Sequence, residues 1–405
     1  MIRRPILAAA LLVLAGCAGG GDGRGGGGDD RLLDPNVAEL WSVGGIDGLG
    51  WEAFSDRIEV AFDENGRVRI FDPLGGQVHV LEADGTYAES LGEQGEGPGE
   101  LSVPVQMVVH RTGVMSILDI GKWGIVRFSA DGTYLQDLPL GFGQKSFERL
   151  IPAPFGTLVT PGLGMVGTVG GVPQIVEGPL VPIQRLFLDG SPARTIHYAW
   201  DPPELEGGRA VTNTAGPKVY AVPPLISFEP RLHLEVMRDG RILVADSVTW
   251  TLEVLASDGL ALDTYTRPIP PIVVTEEIRA RERARLLQQL ADDGPDKPVP
   301  GWLETETARI EEMLFWEELP VIDQLAVDWD SHIWVERTDP GLSGDGPIDI
   351  MRGDGTYLGT IPADGLRIPS AFGPDGLAAY LRFDEFDVPT VTIVRITGLV
   401  GQGPV

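Results

Sequence analysis

Between Ile58 and Leu101, apolar and polar residues alternate in four short runs, IEVAF, RVRIF, QVHVLE and TYAESL. Alternation with period two marks strands with one buried face. Asn65-Gly66 separates the first two runs, Asp72-Pro73-Leu74-Gly75-Gly76 the second and third, and Asp84-Gly85 the last two. Asn-Gly and Asp-Gly favour the positive φ angles of two-residue hairpin loops, so two tight hairpins are expected. One meander of this size buries too little apolar surface to stand alone, and neighbouring copies are therefore required.

The copies are present. The first turn recurs at Thr112-Gly113, Phe155-Gly156, Asp239-Gly240, Asp330-Ser331 and Asp375-Gly376. The second recurs at Asp131-Gly132, Asp189-Gly190, Asp258-Gly259 and Asp354-Gly355, and Asp-Gly-Thr-Tyr stands at 84–87, 131–134 and 354–357. Gly66, Gly113 and Gly156 are 47 and 43 residues apart, a spacing within reach of propeller blades. The pattern predicts an all-β chain, a six-bladed β-propeller of four-stranded antiparallel blades. Blade 6 lacks an outer strand of its own, and Glu39-Leu40-Trp41-Ser42-Val43 is its natural donor. Pairing the two chain ends in one blade leaves no open edge.

Strand 1–2 and 3–4 turns lie on one face of such a ring, and strand 2–3 loops and blade-to-blade connections on the other. Four long segments, 161–181, 200–230, 267–320 and 337–347, all fall in the second class. One face is thus elaborated, as expected where loops on a rigid scaffold carry function. The third segment predicts a helical hairpin insertion between blades 4 and 5, at about 275–319. Thr275 caps its first helix, Glu276 and Glu277 occupy the first turn, and Ala284, Leu287, Leu290 and Ala291 share a face. Beyond a break at 295–300, a second helix runs from about Trp302 to Leu319, carrying Ile310, Met313, Leu314, Phe315 and Trp316. The hairpin packs onto blades 4 and 5, or serves as a lid or docking site with Phe315 and Trp316 turned partly outward.

The run Gly92-Glu93-Gln94-Gly95-Glu96-Gly97-Pro98-Gly99-Glu100-Leu101, followed by a strand, a Gly turn, ILD and RFSADGTYL, resembles the six-bladed NHL-type propellers of bacterial secreted proteins. The resemblance covers about 37–399. It implies the fold and no particular activity, since such propellers include binders and enzymes.

The N-terminus adds a location. Two Arg precede an apolar run from Ile6 to Leu14, too short to span a bilayer, and Leu14-Ala15-Gly16-Cys17 follows. These residues resemble the bacterial lipoprotein box, and the resemblance implies a signal peptide over 1–16 and lipidation of Cys17. Ala18 after the Cys resembles the sorting pattern for outer-membrane lipoproteins. Residues 17–30 then form the lipidated Cys and a Gly/Asp tether, and 31–405 the propeller; a lipid-anchored protein of the bacterial cell envelope, at the outer membrane, is expected. Cys17 is the single cysteine, so no intrachain disulfide or Cys-based site is available. A formal charge of −28 disfavours nucleic acid as a partner and leaves the lipid anchor as the only expected membrane contact.

No catalytic motif stands out. GEQGEGPGE lacks the Lys and following helix of a phosphate loop, and the five histidines show no metal-ligand spacing. Alignment on the first turn yields two rings. Six residues after it stand Asp72, Asp119, Gly162, Asp246, Glu336 and Arg382, whose acids are expected to close their own loops. Seven residues before it stand Glu59, Gln106, Arg149, His233, Asp323 and Pro369, at the start of the innermost strands. The first five are the candidate ligand-binding residues, converging on the channel with Arg149 held between Glu59 and Asp323. The favoured function is a monomeric, non-enzymatic propeller binding a protein, peptide or glycan. The alternative is a metal-dependent, lactonase-like hydrolase or lyase, with a divalent cation such as calcium in the ring.

Overall fold

The computed structural model describes residues 30–46, 48, 50–140, 149–161, 166–169, 172–175, 180–200, 211–213, 220–222, 224–292, 301–341, 344–363 and 365–399. Cys17, most of the tether and parts of all four long segments lie outside them.

Six antiparallel four-stranded sheets form the body. Blade 1 comprises Glu59–Phe62, Val68–Asp72, Gln77–Leu81 and Tyr87–Leu91, from the centre outward. Blades 2 to 5 repeat the order from innermost strands Pro104–Val109, Ile151–Ala153, His233–Val236 and Ile322–Val327. Blade 6 has Ala371–Phe372, Leu377–Phe383 and Pro389–Thr397, and its fourth strand is Asn36–Gly44 from the other end of the chain. That strand pairs antiparallel from Asn36↔Thr397 to Gly44↔Thr390. The architecture is a six-bladed β-propeller closed by its own termini.

The core lies between blades rather than within one sheet. Val60, Phe62 and Ile70 of blade 1 pack against Leu377, Val391 and Ile393 of blade 6, and Phe71 and Val78 pack against Met107 and Val126 of blade 2. Second strands such as Val68–Asp72 and Met115–Asp119 are therefore buried throughout, while the outer Tyr87–Leu91 is mostly exposed.

The hairpins are wider than two-residue loops. Asp63 N–H donates to Arg67 O and Gly66 N–H to Asp63 O, which leaves Glu64, Asn65 and Gly66 as a three-residue loop. Asp63 Oδ1 accepts from Asn65 N–H (2.9 Å) and Arg67 N–H (3.0 Å), and this side-chain cap selects the wider turn with a single left-handed residue, Gly66. The repeated Asp-Gly-Thr-Tyr has a matching cap, from Thr86, Thr133 and Thr356 N–H to Asp84, Asp131 and Asp354 Oδ1. Its Gly has a further reason. A Cβ on Gly85 would lie 2.8 Å from the Trp41 ring, and one on Gly355 would lie 2.5 Å from Tyr265, so each turn seats an outer-strand side chain of the preceding blade.

Two helices follow Ala261–Thr266 in the chain and precede Ile322–Val327. Helix α1 spans Glu276–Asp292 and α2 spans Trp302–Glu311. Thr275 Oγ1 accepts from Ile278 N–H at 3.3 Å, as its capping role requires. The buried residues of α1 are Ile278 and Glu282, not the stripe from Ala284 to Ala291, so the helix docks by its first turns. α2 stops at Glu311 instead of continuing to Leu319. Leu314–Phe315 pairs in parallel with Ile226–Ser227, and Glu318–Leu319 pairs with Ile272–Val273. Phe315 packs on Phe228 with ring centroids 5.7 Å apart and lies under the Arg283 guanidinium, so it is spent inside this unit rather than displayed. Among the described residues no helix is long and apolar enough to cross a membrane.

A second clasp involves the residues just before the closing strand. Leu33 N–H donates to Thr360 O and Thr360 N–H to Arg31 O, laying the arm along the outer strand of blade 5. Asp30 pairs with Arg267 at 3.0 Å and with Arg337 at 2.6 Å. Beneath it, Arg267 meets the fully buried Asp349 at 2.5 Å, and Asp349 also accepts from Trp250 Nε1 and Thr360 Oγ1.

Candidate functional site

Innermost strands start, and second strands end, on the same face of the ring. There Asp72 Oδ1 accepts from Leu74 and Gly75 N–H, Asp119 Oδ1 from Lys122 N–H, Asp246 Oδ1 from Val248 N–H, and Glu336 Oε1 from Gly346 N–H. These acids close their own loops, as expected.

The inner ring behaves differently from the sequence expectation. Glu59 Oε2 accepts from Met107 N–H of the next blade at 2.7 Å. Gln106 bonds Leu150 of the following blade through both backbone groups, accepting from N–H at 2.9 Å and donating to O at 3.1 Å. Arg149 lies 3.5 Å from Leu234 O, and His233 bonds to the Ile322 backbone. The position therefore stitches four successive seams between blades.

Arg149 does not bridge Glu59 and Asp323. It pairs with Glu235 at 2.6 Å, an exposed guanidinium on a carboxylate that is 9 % exposed. Glu235 was missed because strand alternation makes it resemble an ordinary polar position in His233–Val236. Burial pushes Glu235 up, and Arg149 opposes the shift. Burial likewise raises Glu59 to about 7, against the Met107 bond and Arg149, and lowers His233 to about 4.

Asp323 is not the blade 5 member of this ring. The left-handed residue of that turn is Ser331, with φ 65, and Ser331 N–H donates to Asp328 O as Gly66 does to Asp63 O. Because Asp330-Ser331 has no Gly to mark the turn, the alignment slipped by one residue. Gln324 is the equivalent of Glu59, pairing with Glu336 as Gln106 pairs with Leu118, and Arg337 is the equivalent of Asp72. Asp323 is the extra residue of a bulge between Ile322 and Gln324. A bulge re-aims its side chain, here into a cleft.

That cleft, of about 410 Å³, is lined by Ile226, Ser227, Phe228, Glu229, Arg231, His233, Ser247, Glu282, Arg285, Pro320, Ile322, Asp323, Thr338, Asp339 and Gly344. Ser247, fully buried in a left-handed conformation, holds its floor. Its Oγ accepts from Arg231 N–H at 2.8 Å and its carbonyl accepts from Val321 N–H at 2.6 Å. On the helical wall, Glu282 accepts from Ser227 Oγ at 2.8 Å and from Arg285 Nε at 2.7 Å. Burial would raise Glu282, but the Arg285 and Ser227 bonds outweigh it and hold the carboxyl below its usual range. Opposite, desolvation holds Asp323 above the usual carboxylate range, with Arg231 opposing and Asp345 adding to the rise. Thr338 Oγ1 is buried without a hydrogen-bond partner among the described residues. Unpaired buried polar atoms are uncommon, and one at a cleft wall is available to a bound group. Among the described residues no three His, Cys, Asp or Glu side chains gather as a metal site.

Glu59 supplies a prediction about pH. Its folded pKa, about 7, exceeds the ordinary value of 4.5, so its favourable contribution is complete below 4.5 and is lost as pH rises through 7. Glu59→Gln keeps an acceptor for Met107 N–H and removes the charge. The variant should melt with wild type at pH 4.5 and above it at pH 8, in thermal unfolding across that range. A variant less stable than wild type at pH 8 would contradict the burial argument.

A family model described as a 6-bladed beta-propeller matches residues 56–149. Among curated proteins nothing matches the chain. Solved structures similar to it include a Bacteroides fragilis protein described as exported, at 12% identity over 91% of this chain and 96% of that one, with a TM-score of 0.47. A gluconolactonase of Xanthomonas campestris is 15% identical, covering 91% of each chain with a TM-score of 0.39. A virginiamycin B lyase of Staphylococcus aureus is 10% identical, covering 90% of this chain and 100% of that one with a TM-score of 0.40. Blade count and family model agree, and the chain is a six-bladed β-propeller.

Proposed function

We propose that this chain is a lipid-anchored propeller of the bacterial cell envelope that binds a peptide segment of a partner in the cleft between its helical insertion and the channel mouth. The anchor rests on the resemblance of Leu14-Ala15-Gly16-Cys17 to a lipoprotein box, and the outer membrane on Ala18. The observation that carries the binding reading is the cleft itself. It sets Arg231 and Asp323 beside the unpaired Thr338 hydroxyl, on the face where the long segments cluster. Charges of both signs around one polar hollow suit a peptide, whose backbone supplies donors and acceptors and whose ends or side chains supply charge. Asp323 and Arg231 are the recognition residues, and His233 lines the same cleft. Glu59 and Gln106 support the ring through the next blade's backbone.

The test is a thermal-shift screen of short peptides against wild type and an Arg231→Ala/Asp323→Ala double variant. Both residues lie at an open mouth, so the variant should fold with nearly unchanged melting. Peptides that stabilise wild type and not the variant support the reading. Equal shifts in both proteins would overturn it, and turnover of a lactone dependent on an added divalent cation would favour the hydrolase alternative.

A further inference from the structure

The same face has a second half, built differently. On blades 6, 1 and 2 the strand 2–3 loops are short and expose large apolar side chains: Phe386, Leu74, and Trp123 with the less exposed Ile120. Ile46, on the connection from blade 6 to blade 1, joins them, and Ile46, Leu74, Trp123 and Phe386 are 63% to 70% exposed. Trp123 is held out by a left-handed backbone, with φ 52.

The tips belong to one continuous arc. Gly45 N–H donates to Pro389 O, which sets Ile46 beside the Phe386 loop. Ser55 Oγ donates to Asp72 Oδ1, joining that connection to the Leu74 loop, and Lys122 Nζ donates to Gly97 O, joining the 92–101 loop to the Trp123 loop. Asp384 Oδ1 accepts from Phe386 and Val388 N–H, so the Phe386 tip is a capped turn. Large exposed apolar side chains repeated along one edge mark an interaction surface.

Charge selects the occupant. Asp384, Glu385 and Asp387 surround Phe386, and Asp56, Glu93 and Glu96 are exposed between the other tips. Of the basic side chains on the arc, Lys122 is engaged by Gly97 O and Asp137, leaving Arg57 and Arg382 against the acids. We infer that this arc docks a basic, amphipathic segment of a partner protein, its apolar face on Ile46, Leu74, Trp123 and Phe386 and its Lys or Arg side chains on the flanking carboxylates. An anionic bilayer is repelled by the same acids and by a formal charge of −28. The arc is separate from the Arg231 cleft and does not depend on it.

The test uses a fluorescent helical Leu/Lys peptide of about 18 residues, its Leu/Glu counterpart, and phosphatidylcholine vesicles with and without phosphatidylglycerol. Proteins compared are wild type, the arc variant Leu74→Ser/Trp123→Ser/Phe386→Ser, and a control, Phe155→Ser/Leu260→Ser, which removes exposed apolar tips from the opposite face. All substituted side chains are exposed, so folding should persist and is checked by melting. The Leu/Lys peptide should bind wild type and control alike, weaken with salt, and bind the arc variant about tenfold less tightly or worse. The inference is overturned if wild type does not bind it, if the arc variant binds as well as wild type, or if the Leu/Glu peptide binds equally. Tip-dependent binding of vesicles in preference to the peptide would make the occupant a bilayer and overturn it too.

Discussion

Removing residues 30–44 should cost most of the stability of this propeller, whereas removing residues 18–29 should cost almost none. The closing strand covers Val391, Ile393, Val394 and Ile396 of blade 6, and its Trp41 and Val43 pack with the core shared by blades 6 and 1. Leu33 is buried against blade 5. Fully burying a side chain of this size contributes about 1.5–3 kcal/mol; Leu33 is buried and Trp41 and Val43 are half-buried, so together they supply a sizeable part of a total that is about 5–15 kcal/mol. Loss of the strand also opens blade 6 to a bare edge. Thermal unfolding should show a drop of roughly 10 °C or more, or no cooperative transition. Equal melting of the two deletions would mean that the ring closes without its N-terminal strand.

The second large effect concerns Asp349. Asp349→Leu leaves the buried Arg267 with Asp30, whose side chain is about a third exposed, as its remaining acid. Breaking a buried pair by removing one partner costs about 3–5 kcal/mol, because a charge stays behind uncompensated. Removing both partners in Arg267→Met/Asp349→Leu leaves no such charge. The double variant should therefore unfold at higher denaturant than the single Asp349→Leu. Asp30→Ala, at the exposed end of the network, should cost far less than either. A double variant no more stable than Asp349→Leu would show that the pair is held for a reason other than charge compensation.

What the sequence revealed depended on the range of the physics involved. Asp84-Gly85-Thr86-Tyr87 is a local signal, since its cap joins residues two apart, and its repetition gave the blades. The missing outer strand of blade 6 was legible because a ring of four-stranded units leaves a countable vacancy, filled by Asn36–Gly44. The Arg267, Asp349 and Asp30 cluster joins three distant stretches of chain, and nothing local to any of them announces it. His233 and Asp323, both of which line the cleft, are legible in the sequence as ring positions, but the placement of Asp323 is not. It depends on a bulge, and in blade 5 the turn that would have fixed the register is carried by Ser331 rather than Gly. A one-residue slip exchanges the two faces of a strand, so the error changed which residue joined the ring. The run Leu314-Phe315-Trp316 is equally at home in a helix or a strand, and its pairing with Ile226–Ser227, far away in the chain, decided the matter.

The most direct test of the binding account is hydrogen exchange on wild type with and without a peptide selected in the thermal-shift screen. The account predicts new protection at 224–233, 278–285, 320–324 and 337–341, around Arg231 and Asp323. Protection confined to the opposite-face turns at 63–67 and 110–114, or a peptide that stabilises the protein with no protection around the cleft, would contradict it.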